Sequence, residues 1–106
     1  MTHFQPEEFR CRCRRTECDA LPQVQQPLLD RLEVVWSEYG KPMIVTSGLR
    51  CPWWNALQGG KPHSSHLTGY ATDIACETPQ ARYELLASAF RVFNRVGIGS
   101  TFLHFG

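Results

Sequence analysis

Two residue types that bind divalent metals, a histidine and an aspartate, stand seven positions apart in Ser64-Ser65-His66-Leu67-Thr68-Gly69-Tyr70-Ala71-Thr72-Asp73. Thr68-Gly69 supplies a turn, and Tyr70, Thr72 and Ile74 favour extended structure after it. A turn at the mouth of a strand can fold His66 back over the strand's first residues, close to Asp73. A neutral imidazole nitrogen beside a carboxylate oxygen is a pair that Zn²⁺ accepts at roughly 2.0–2.2 Å. A third ligand would complete a site of catalytic type. The only late histidine is His104, in the extended-looking stretch Ile98-Gly99-Ser100-Thr101-Phe102-Leu103-His104-Phe105. Spacing alone leaves the matter open, because a His and an Asp this far apart are more often surface groups or a hydrogen-bonded pair than ligands.

Elements able to hold these residues follow from the apolar pattern. Leu28, Leu29, Leu32, Val35, Trp36 and Tyr39 recur at helical spacing, with Asp30, Arg31, Glu33, Ser37 and Glu38 on the other face. Pro27 suits the first turn of this helix and Gly40 the position after its end. Pro42 to Ser47 reads as a short buried strand, and Pro52 to Leu57 as a single helical turn. Gln58 to Ser65 is a Gly/Pro/Ser loop. Thr78-Pro79 opens a second helix as cap and first residue, with Leu85, Leu86, Ala89, Phe90 and Phe93 on its apolar face and Gly97 as its stop. Ile98 to Phe105 is the closing strand, with Phe102 and His104 on one face and Leu103 and Phe105 on the other. Residues 1–20 show no period and read as an irregular arm tacked to the core by Phe4 and Phe9. The fold class is α+β, a small and mainly antiparallel sheet with two packed helices.

A chain of 106 residues has room for one domain, 1–106. Apolar residues at 42% and charged residues at 20% fit a soluble globular protein. A net charge of +1 excludes a strong nucleic-acid or membrane field. Arg10, Arg12, Arg14 and Arg15 form a local basic cluster that reads as a solvated face. No segment approaches the ~18 apolar residues of a membrane span. The N-terminus carries His3, Glu7 and Glu8 and no apolar run, so synthesis without a signal peptide, in the cytoplasm, is expected. The five cysteines, Cys11, Cys13, Cys18, Cys51 and Cys76, are then expected as thiols. Cys11, Cys13 and Cys18 could be three ligands of a structural zinc. Their spacing is not that of a common zinc ribbon or finger and no fourth ligand is obvious, so they are read as small packing residues.

Ser64-x-His66-x-x-Gly69-x-Ala71-x-Asp73 resembles the signature of the zinc D-alanyl-D-alanine carboxypeptidase family, in the superfamily shared with lysostaphin and the hedgehog signalling domain. The resemblance extends through Thr46-Ser47-Gly48-Leu49-Arg50-Cys51-Pro52, Asn55, Gly59-Gly60, Gly97-Ile98-Gly99 and Phe102-Leu103-His104. It reaches Phe4, Glu8-Phe9 and Cys11 at the start, so it covers nearly the whole chain. It implies a zinc site on the open sheet face with His66, Asp73 and His104 as ligands, His63 being a rim group. It implies that Arg50 grips the substrate's carboxylate or carbonyl, a task that suits the guanidinium fork. Removal of an arginine in such a loop is expected to cost no more than ~0.5 kcal/mol of stability. Trp53 or Trp54 is expected either near the cleft or as a half-buried lid. The implied activity is zinc-dependent hydrolysis of bacterial peptidoglycan peptide, as in a carboxypeptidase or a phage endolysin, by a monomer that binds neither nucleic acid nor membrane.

One feature departs from that pattern. Relatives place the general base three residues before the last ligand or two after it, and here those positions are Thr101 and Gly106. Glu77, four residues past Asp73, is the remaining candidate. The base would otherwise come from residues beyond Gly106, or the domain binds metal without turnover. The alternative function is therefore an inactive metal-binding module, for example a phage structural or cell-wall-binding protein.

Overall fold

The computed structural model describes residues 3–106; Met1 and Thr2, the start of the expected arm, lie outside the described residues. In chain order the elements are a 3₁₀ turn at Pro6–Phe9, then α1 (Gln26–Tyr39), β1 (Val45–Ser47), α2 (Pro52–Leu57), α3 (Ser65–Thr68), β2 (Thr72–Ala75), α4 (Pro79–Val92), β3 (Val96–Ile98) and β4 (Phe102–Phe105). Pro27 begins α1 where a helix leaves its N–H groups free, and Gly40 closes it at φ 72°, a left-handed conformation open to glycine at little cost. Thr78 caps α4 by accepting a hydrogen bond from the Ala81 N–H at 3.1 Å.

The four strands form one sheet in the order β1-β2-β4-β3, every neighbouring pair antiparallel. Alternation along the strands sends Val45, Ile74, Leu103 and Phe105 into the core with Leu28, Leu32 and Val35 of α1 and Leu85 and Ala89 of α4. Each of these side chains larger than alanine stabilises the fold by about 1.5–3 kcal/mol through burial. Asp73 and His104 are direct cross-strand partners and point to the opposite face. Phe4 and Phe9 are both buried in the core, so the arm is anchored as its aromatics suggest. Its backbone meets the end of β1 closely: the Leu49 N–H donates to the Phe9 carbonyl at 2.8 Å, and a Cβ on Gly48 would lie 2.8 Å from the Phe9 backbone.

Three boundaries differ from the sequence expectation. The helix α4 stops at Val92, not near Gly97, because Phe93 turns out of the helix to stack on Phe105 at 5.2 Å between ring centroids. The expected closing strand Ile98–Phe105 is a hairpin: Gly99-Ser100-Thr101 turns the chain, with the Gly99 N–H donating to the Phe102 carbonyl at 2.9 Å. Glycine and two small hydroxyl residues are turn chemistry, and they outweigh the apolar run on either side. Gly97 thereby falls in β3 opposite His104, where a Cβ would lie 3.2 Å from the His104 Cβ. Finally, β1 spans only Val45–Ser47, since Pro42 lacks a donor and Ile44 turns outward to solvent.

Candidate metal centre

His66 owes its position to a four-residue helix held at both ends. The Ser64 hydroxyl accepts from the His66 N–H at 3.2 Å at the start of α3, and Gly69 closes it at φ 79°. The Gly69 carbonyl accepts from the Gln25 N–H at 2.9 Å, and Gln25 Nε2 donates to the Thr68 carbonyl at 3.1 Å, which docks α3 on the start of α1. The imidazole is buried. Its Nδ1 lies 2.7 Å from the Gly48 carbonyl, which can only accept, so Nδ1 carries the proton. In the neutral ring Nε2 is then a lone pair, and it faces Asp73 Oδ1 at 3.3 Å.

Asp73 Oδ1 is also 2.8 Å from His104 Nδ1. One atom from each of His66, Asp73 and His104 can be chosen so that all three lie within 4.8 Å of one another. His66 Nε2 and Asp73 Oδ1 thus face each other closely enough to share either a proton or a metal cation. Two imidazole nitrogens and one carboxylate oxygen, converging on an open sheet face, fit a divalent metal of the zinc type and leave room for a further ligand. Burial raises the Asp73 pKa, but hydrogen bonds and charge from His104 and His66 outweigh it and hold the carboxyl at about 2. Asp73 is therefore a carboxylate, as a ligand must be.

Arg50 is not a loop arginine reaching into solvent. Its side chain is 11% exposed, and all three nitrogens are engaged. Nε donates to Ser47 Oγ at 3.1 Å, one terminal nitrogen to Asn55 Oδ1 at 3.2 Å, and the other to Asp73 Oδ2 at 3.4 Å. Burial lowers the Arg50 pKa, while Asp73 raises it. Asn55 is itself buried and donates to the Lys61 carbonyl at 2.8 Å. Arg50 thus braces the carboxylate oxygen that the histidines do not hold.

Beside His104 opens a cleft of about 420 Å³, lined by Lys61, Pro62, His63, Ser64, Ser65 and Arg95. His63 stands on its wall, exposed, and outside the ligand cluster. Glu77 lies exposed beyond the end of β2, four residues from Asp73, or roughly 13 Å of extended chain. The structure does not bring it to the cluster. Trp53 and Trp54 do not line this cleft: Trp53 carries the Arg15 guanidinium 4.5 Å from its ring centre, and Trp54 lies with Arg10, Arg12 and Arg14. Sequence reasoning assigns no role to Ser47, the Gly48 carbonyl or Asn55, which orient Arg50 and His66. Gly60 is the available signal for Asn55, because only a residue without a side chain fits against that amide.

An antiparallel sheet presents a carboxylate and an imidazole side by side on its open face, and a short helix brings a second imidazole beside them, a donor set of the kind metal-dependent hydrolases use. The chain belongs to the Peptidase M15 family, whose family model matches residues 2–104. That family is zinc-dependent, in keeping with the donor set here. Neither a curated protein nor a solved structure matches the chain. Among the described residues, no helix is long and apolar enough to cross a membrane.

Proposed function

We propose that this protein is a zinc-dependent hydrolase of peptide bonds in bacterial peptidoglycan. The observation that carries the proposal is the convergence of His66, Asp73 and His104 beside an open cleft, with Arg50 bracing Asp73. His66, Asp73 and His104 would hold the zinc, which would supply Lewis-acid chemistry for hydrolysis of a carbonyl group. The remaining work falls to the chain's own groups. Gly48 fixes the His66 tautomer, and Arg50 fixes the carboxylate orientation. Arg50 has five N–H groups, of which three are engaged, so two remain for a substrate carbonyl or carboxylate at the same site. Lys61 and Arg95 on the cleft wall favour a substrate that carries a carboxylate, as a peptide terminus does.

A second reading, a metal-binding module without turnover, draws on one specific observation: none of the residues lining the cleft is a carboxylate. His63 is the side chain on that wall able to accept a proton from water without being a proposed ligand. Digestion of purified peptidoglycan with and without a chelator, with fragments identified by mass, separates the two. Chelator-sensitive release of peptide fragments that His66→Ala loses supports the hydrolase. Stoichiometric zinc with no release at any protein concentration leaves the module.

A further inference from the structure

We propose a second, structural zinc site in which Cys11, Cys13, Cys18 and Cys51 supply all four ligands. This inference is independent of the reading of the open site. The four sulfur atoms all lie within 4.8 Å of one another, and none forms a disulfide. A tetrahedron with Zn–S bonds of about 2.3 Å spaces its sulfurs roughly 3.8 Å apart, so a small inward adjustment closes the site. Three ligands come from the N-terminal arm. The fourth, which no local spacing announces, comes from the residue that caps α2, 40 positions after Cys11.

The backbone around the cluster is arranged for sulfur ligands. Among the described residues Arg14 is the only non-glycine residue with a positive φ, at 59°. That conformation costs on the order of 1 kcal/mol and persists where surrounding structure imposes it. Here it turns the chain so that the Arg15 N–H points at Cys13 Sγ, at 3.4 Å. The Cys51 N–H points at Cys11 Sγ at 3.3 Å, and the Trp54 N–H at Cys51 Sγ at 3.4 Å. Amide dipoles aimed at sulfur stabilise the negative charge that thiolate ligands carry. Four thiolates around one divalent cation leave two surplus negative charges, and Arg10, Arg12 and Arg14 line the same surface as Cys11 and Cys13. The basic cluster thus has a counter-charge.

Two disulfides would draw the sulfurs into separate couples at about 2.05 Å, whereas all four converge. Soft thiolates in a tetrahedral set select zinc over magnesium or calcium, and four protein ligands leave no open position for chemistry. The ion would pin the irregular arm to the start of α2, one residue after Arg50. Cys76, buried within the core cluster, plays no part.

Elemental analysis of the full chain, purified under reducing conditions, should find about two zinc ions per chain, and His66→Ala should retain about one. Cobalt added to metal-free His66→Ala should give the intense near-ultraviolet absorption of a tetrathiolate complex. Because cysteine variants can fail by misfolding, the wild-type chain provides the second measurement. Zinc should slow iodoacetamide modification of Cys18, the exposed member, by at least about tenfold, and a chelator should restore it. A His66→Ala protein without zinc, unchanged Cys18 reactivity in the presence of zinc, or two disulfides in the native chain would each overturn the proposal. Loss of hydrolysis with the thiol-bound zinc intact would instead count against the reading of the open site.

Discussion

His104 and Asp73 are direct partners across the β2–β4 ladder, and their side chains meet with Nδ1 2.8 Å from Oδ1. His66 reaches the same carboxylate oxygen from a helix, through a ring that is buried and bonded to Gly48. The two histidines should therefore differ when replaced. His104→Ala should abolish metal at the open site and cost the metal-free protein something, because Asp73 loses its 2.8 Å partner, but less than the loss of His66 does, since the His104 ring is part-exposed. His66→Ala should abolish the same metal and also cost about 1–3 kcal/mol, since it empties a buried site and strands a carbonyl. Denaturant unfolding of both metal-free variants measures this, and equal losses would contradict the assignment of His66 as the structurally embedded ligand.

Arg50→Ala should cost about 1–3 kcal/mol, well above the ~0.5 kcal/mol of a loop arginine, because it leaves buried Asp73 and Asn55 without their partner. Arg50→Lys should recover little, as an ammonium cannot engage Ser47, Asn55 and Asp73 together. A melting temperature unmoved in either variant would return Arg50 to a purely substrate-facing role.

Gly60→Ala should lower both stability and activity, although Gly60 touches no ligand. An added Cβ would sit 2.1 Å from Asn55 Oδ1, the atom that accepts from Arg50. The disturbance passes from Asn55 to Arg50 to Asp73. A loss of about 1–3 kcal/mol is expected, with weaker zinc binding at the open site. Wild-type stability and zinc content in Gly60→Ala would break this chain of contacts as an explanation.

Acid should destabilise the metal-free protein through Asp73. Its carboxyl ionises at about 2 in the folded chain against an ordinary value of 3.8. A depressed folded value means the contribution is complete above about pH 4 and disappears as pH falls towards 2. The magnitude is about 2 kcal/mol. Comparing wild type with Asp73→Asn at pH 5 and at pH 2.5 isolates it. The difference between the two proteins should shrink by about 1.5 kcal/mol in acid, the remainder being lost only below the folded value, and a constant difference would refute the linkage.

How far the sequence discloses this molecule depends on the range of the interactions involved. Both long helices announce themselves through apolar periodicity, with Pro27, Gly40, Thr78 and Pro79 as local punctuation. His66 and Asp73 are legible because ten consecutive residues contain both. The hairpin of β3 and β4 is hidden, because Gly99-Ser100-Thr101 sits inside a run whose apolar residues suit one strand. The bracing of Asp73 by Arg50 depends on burial that no spacing encodes. The convergence of Cys51 with Cys11, Cys13 and Cys18 is created by the Gly48–Phe9 contact, which brings the arm to the end of β1. Such pairings belong to tertiary structure and leave no period to read.

The sheet order has a kinetic consequence. Asp73 and His104 lie on the two inner strands, β2 and β4, while the outer strands β1 and β3 are three residues each. Local opening begins at such short edges and at helices of one turn, well before the central pair separates. Hydrogen exchange should accordingly be slowest for amides of β2 and β4 and much faster for those of α3. Asp73 and His104 then remain in place while His66 departs with its helix. Escape of an ion bound there would follow undocking of α3 from Gln25, so a substitution at Gln25, remote from His66, Asp73 and His104, should speed metal loss without altering the geometry of the loaded site.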